Sequence, residues 1–131
     1  MPLSTYLANA LANHVYRNTA YTSPTATYSA LFTSTATLAQ IIAGTLTNEV
    51  SGGAYARVAV TFGAPSAGVV NNSTVTYATA TAGWGTIRFV AEMDAATAGN
   101  VLSVAQLSSD VVISTGNQFQ FNSGSLVASF A

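Results

Sequence analysis

Between Gly83 and Leu102 the chain reads GWGTIRFVAEMDAATAGNVL. Ile87, Phe89, Ala91 and Met93 alternate there with Arg88, Val90, Glu92 and Asp94. A period of two sends the first set to one face of a sheet and the second to the other. Asp94–Asn100 is rich in small, turn-forming residues and leads into another apolar run. The pattern predicts a strand, a turn and the start of a second strand.

The same alternation recurs along the chain. Thr25–Thr33 sets Ala26, Tyr28, Ala30 and Phe32 against Thr25, Thr27, Ser29 and Leu31, and Tyr55–Phe62 sets Ala56, Val58, Val60 and Phe62 on one side. Shorter strands are expected at Val69–Val70, Thr74–Tyr77, Val101–Leu107, Val111–Ser114, around Phe119 and Phe121, and at Ser125–Phe130. Turn-forming residues separate them at 63–68, Asn71-Asn72, 108–110, 115–117 and Ser123-Gly124. About eight or nine short strands so spaced predict an all-β fold, a β-sandwich of jelly-roll type. It is expected as a single domain over residues 1–131, with the strands in 25–131 and one short helix in 1–17.

That N-terminal segment has a different period. Leu3, Leu7, Leu11 and Val15 recur every four residues, the stripe of an amphipathic helix. Ser4 suits its N-cap, and Arg17 lies near the end where a cation is favoured. In Ser34–Gly53 the run LAQIIAG fits either a buried strand or a short helical turn. The helical stripe and this segment are the expected contact surfaces, giving Leu3, Leu7, Leu11, Val15, Ile41 and Ile42 as candidate interface residues.

Composition narrows the partners. Charged residues make up 5% of the chain, against about 25% in an ordinary domain, with no lysine and a net charge of −1. Such a chain has no electrostatic footprint for nucleic acid. Nor does an apolar run approach the roughly 20 residues that span a membrane as a helix. Weak self-repulsion favours association, so a homo-oligomer is expected.

Little chemistry is encoded. His14 is the only histidine and no GxSxG elbow occurs, so the abundant serines and threonines lack an activating base. Glu92 and Asp94 share a strand face, where a solvated pair neutralised by Arg88 is expected rather than an acid–base couple. Asp94 and Asn100 offer oxygen ligands of the kind calcium prefers, but an Asp-initiated turn explains them better. Without cysteine there is no thiolate metal site, and no phosphate-binding glycine motif is present. No catalytic residue, cofactor or metal ligand is therefore assigned. Tyr6, Tyr16, Tyr21 and Tyr55 fall outside the regular alternation and suit an interface or a sugar platform.

Three blocks in order, LANHVYRNTAYTSPTATYSALFTS, EVSGGAYARVAVTFGAPSAGVVNN and WGTIRFVAEMDAATAGNVL, resemble a family of small tailed-bacteriophage virion proteins often labelled tail-fibre-like. The resemblance implies a structural, non-enzymatic protein located in the virion, on the capsid surface or the tail. It supplies no catalytic motif. The chain shows neither a repetitive shaft nor coiled-coil heptads. By analogy of size and fold, the first expectation is a capsid decoration (cement) protein, a trimer on the head exterior bridging major capsid protein subunits. The alternative is a tail-fibre or receptor-binding module that recognises a host surface glycan.

Overall fold

The computed structural model describes residues 1–130. Its centre is β5 (Gly85–Met93), the strand the alternation predicts. On one side β5 pairs with β1 (Thr27–Thr33), and on the other with β6 (Val101–Ile113). β2 (Val58–Val60) extends the sheet beyond β1, so the antiparallel order is β2-β1-β5-β6. Two antiparallel ribbons complete the strands: β3 (Val69–Asn71) with β8 (Val127–Ser129), and β4 (Val75–Thr76) with β7 (Gln120–Phe121). The fold is all-β with short helices. Among the described residues the pairing does not extend to the two four-stranded sheets of a jelly roll.

The β1–β5 centre of the sheet is dry on both faces. Ser29, Ala30, Leu31 and Phe32 are buried in succession in β1, as are Phe89 to Met93 in β5. Ala30, Phe32, Phe89, Ala91, Met93 and Val104 form one core. It is capped by α2 (Leu38–Ile42), whose Ile41 is fully buried. The ambiguous LAQIIAG run is thus a helical turn. Thr37 and Gln40 exchange side-chain and backbone hydrogen bonds across its first turn, a capping box that starts the helix.

On the opposite face Leu31, Ile87 and Val90 pack with Val60, Val75 and Tyr77, and with Trp84, Phe121 and Leu126. Tyr77 and Trp84 meet edge to face at 6.4 Å, and Phe119 and Phe121 at 4.9 Å. The Trp84 indole N–H donates to the Gly53 carbonyl at 2.8 Å. Gly53 has φ +59°, and a Cβ there would stand 2.8 Å from the Ala82 carbonyl oxygen and 2.9 Å from Trp84 Nε1. The Ser-Gly-Gly break therefore encodes a close approach of backbone to indole as well as a turn.

One residue reverses the predicted alternation. Phe32 faces Phe89 but Thr33 faces Ile87, so Arg88 is an extra residue, a β-bulge, against β1. Against β6, Ile87 pairs with Val111 and Phe89 with Gln106, leaving residues 107–110 opposite Arg88. The expected turn at Ser108–Asp110 is this bulge, and β6 runs on through it as one strand. Across it the Arg88 guanidinium holds Asp110 with bonds of 3.0 and 2.7 Å. The parity change moves Ile87 from the expected Phe89 face to the face of Val90.

The predicted N-terminal helix is α1 (Thr5–Tyr16), capped by the Ser4 hydroxyl, which accepts from the Leu7 amide at 3.0 Å. The Ser4 amide donates to the Leu102 carbonyl at 2.8 Å, and the Ser4 hydroxyl donates to the Val101 carbonyl. The start of α1 is thereby pinned to the edge strand β6.

Gly53→Ala is expected to destabilise the fold by about 2 kcal/mol, because the new Cβ meets backbone and indole at a left-handed φ. Urea denaturation followed by Trp84 fluorescence checks this. An unchanged midpoint would show that the approach is not tight.

Candidate functional site

The candidate interface residues separate on folding. Leu7 and Ile41 are buried in the chain's own core, Ile42 packs against it, and Leu3 and Leu11 are half-buried. Leu3 bridges to Ser103 at the edge of β6. Val15 alone of the six is largely exposed, at 68%. The stripe thus docks α1 onto its own sheet at the N-terminal end and leaves the C-terminal end standing free.

The carboxylates also part company. Glu92 is 2% exposed, so the expected solvated pair with Asp94 is not formed. The reason is the second dry face of β5, where Glu92 stands in register between Ser29 of β1 and Ser103 of β6. The Ser29 hydroxyl donates to Glu92 Oε1 at 2.7 Å, while Oε2 has no hydrogen-bond partner among the described residues. Burial raises the Glu92 pKa to about 7, against the opposing effect of the Ser29 hydroxyl. Arg88, expected to neutralise it, is committed to Asp110. Asp94 accepts from the Asn100 amide at 2.7 Å and from its side-chain amide at 2.9 Å, so its carboxylate closes the 94–100 loop from one end to the other.

A polar network that the strand pattern did not reveal surrounds Glu49. Arg57 grips it with bonds of 2.7 Å from both Nε and Nη2, and the Tyr55 hydroxyl donates to it at 2.9 Å. The same hydroxyl accepts from the Leu31 amide at 3.0 Å. Burial is the main cause raising the Tyr55 pKa, followed by the Glu49 charge. Arg57 Nη1 reaches on to the Ala95 and Ala98 carbonyls, so one guanidinium ties the 49–57 segment to the 94–100 turn. Oppositely charged residues flanking the Gly52-Gly53 break were the only sequence signal for this pairing. Both side chains are mostly buried and satisfied, a structural clamp rather than an open reactive site.

Of the irregular tyrosines, Tyr55 belongs to that clamp and Tyr16 stands exposed at the end of α1. Tyr6 and Tyr21 instead converge. They line a groove of about 330 Å³ with Ala10 and Asn13 of α1 and with Thr19, Ala20 and Thr22. Tyr6, Ala10 and Asn13 share one helical face by their spacing. The returning segment is held to the helix by the Tyr21 amide, which donates to His14 Nδ1 at 3.3 Å, and by the Thr19 amide, which donates to the Asn13 carbonyl at 3.1 Å. Partial burial, together with the nearby Tyr6 and Asp94, raises the Tyr21 pKa, so its hydroxyl stays a neutral donor and acceptor. Two phenol rings beside an amide and threonine hydroxyls offer apolar faces and bidirectional hydrogen bonds in one concavity. This set is chemically complementary to a polyhydroxylated ligand. It holds no nucleophile–base pair, and no cluster of metal-ligating side chains occurs among the described residues.

Residues 2–129 match the sequence model of a family described as podophage GP4 fiber I protein gp80. No curated protein matches the chain.

Because its pKa is raised in the folded chain, Glu92 takes up a proton on folding between about pH 4.5 and 7. Its contribution to stability is therefore best below that window and is lost as pH rises through 7. Denaturation of dilute, unassociated protein at pH 5 and pH 8 should show the parent losing up to about 3 kcal/mol relative to Glu92→Gln. Parallel pH profiles for the two proteins would contradict the assignment.

Proposed function

Since the chain belongs to the podophage GP4 fiber I protein gp80 family, we propose that it serves in the tail fibre as a non-enzymatic module binding a host surface glycan. The family places it in the virion as a structural protein. The observation that carries the finer reading is the Tyr6–Tyr21 groove, which two of the four irregular tyrosines line together with Asn13, Thr19 and Thr22. Sugar rings present apolar C–H faces and a rim of hydroxyls, which match phenol faces and neutral polar groups. A groove without a cation suits a neutral glycan better than an acidic one, because an anion would find no counter-charge among its lining residues. The head-decoration reading rests on size and fold analogy, while the fiber description of the family favours the tail.

Two measurements test this. Quantitative mass spectrometry of purified particles should give a copy number typical of a tail component; a value near that of the major capsid protein would restore the decoration reading. Fluorescently labelled protein should bind host cells, and Tyr6→Ala and Tyr21→Ala should each weaken binding about tenfold. Equal binding by both variants and the parent would sink the glycan reading.

A further inference from the structure

Opposite ends of α1 carry complementary, unsatisfied features. At its C-terminal end Val15 is 68% and Tyr16 86% exposed. Arg17 follows, and it makes no ion pair among the described residues, whereas Arg57 and Arg88 are each held by a carboxylate. Beside the N-terminal end lies an apolar slot of about 150 Å³, between α1 and the β3–β8 ribbon. Leu3, Leu7, Val70, Leu102 and Phe130 line it, and Phe130 is 53% exposed. Glu92 forms part of the same wall, with its buried Oε2 unpartnered.

The slot cannot receive its own helix tip. Ten residues of helix separate Leu7 from Arg17, about 15 Å of rigid rise. Ser4 fixes the near end to β6 through its amide and its hydroxyl. The chain contains no lysine, so Arg17 is the one side-chain cation left unpaired among the described residues.

We propose that the slot is filled by the α1 tip of a second copy, with Val15 and Tyr16 covering Phe130 and its apolar neighbours and Arg17 pairing with Glu92. The match is one of charge and of apolarity together. A buried carboxylate oxygen without a partner is costly, and a guanidinium supplies the missing donors. The exposed apolar groups at both ends leave water in the same contact. The interface joins two different surfaces, so it is head-to-tail and generates either a closed ring, such as a trimer, or a filament. It does not depend on the glycan reading, because Tyr6 and Tyr21 take no part in it.

Complementation tests it with the full chain. A tip variant carries Tyr16→Asp and Arg17→Ala, and a slot variant carries Glu92→Gln and Phe130→Asp. Sedimentation equilibrium at pH 8 should show the parent associating and each variant alone at least tenfold weaker. An equimolar mixture should recover association but stop at a heterodimer, since only one intact tip and one intact slot remain. Circular dichroism melts verify that both variants are folded; Glu92→Gln alone should raise stability while lowering association, a pairing of effects that loss of structure does not produce. A monomeric parent, variants that assemble as well as the parent, or a mixture that stays monomeric would each overturn the proposal.

Discussion

Everything in this fold follows from burying both faces of the β1–β5 pair. A half-exposed antiparallel strand needs apolar residues at alternate positions only. Here Ser29–Phe32 and Phe89–Met93 are buried without interruption, so the chain must supply a cover for each face. It does so with unlike material. α2 and its flanking loop close one side, and two short ribbons with the Tyr77–Trp84–Phe121 aromatics close the other. None of these pieces is long enough to be stable alone. Each exists as structure because the sheet beneath it offers an apolar face to pack on.

Polar groups caught in that arrangement are resolved in three ways. Glu49 is fully compensated by Arg57 and Tyr55, and the clamp also holds the 94–100 turn. Arg88 and Asp110 pair at the surface beside the bulge, where solvent makes the pairing a weak force. Glu92 is compensated at one oxygen only. The chain spends its few charges almost entirely on internal geometry, and the groove formed by Tyr6 and Tyr21 is correspondingly neutral.

Periodicity made the strand at 85–93, the helix at 5–16 and the all-β class legible in the sequence, because the apolar residues recur at the strand and helix spacings even where burial does not follow them. It failed at Arg88, since a bulge adds one residue without altering composition, and at Glu92, since alternation cannot distinguish a solvated face from a second buried one. Turn-forming residues at 108–110 mark a break in the sequence, but that it is a bulge within one strand shows only in the register against β5, which lies elsewhere in the chain. The groove was half visible. Tyr6 and Tyr21 are irregularly placed, but their convergence depends on how residues 18–22 return along α1, where the His14 imidazole accepts from the Tyr21 amide and the Asn13 carbonyl from the Thr19 amide.

The pairing of β1 with β5 also sets a timetable. β1 is complete by Thr33, yet its long partner ends only at Met93. At synthesis rates of about 5–20 residues per second, that strand waits on the order of several seconds for its mate. Throughout that interval a segment with two adhesive faces has only its immediate neighbours for cover. Many nascent copies made together would expose it at once, so the fidelity of maturation rests on how fast β5 arrives relative to encounters between chains. The same two-sided burial that secures the finished domain makes its early chain the most vulnerable form of the protein.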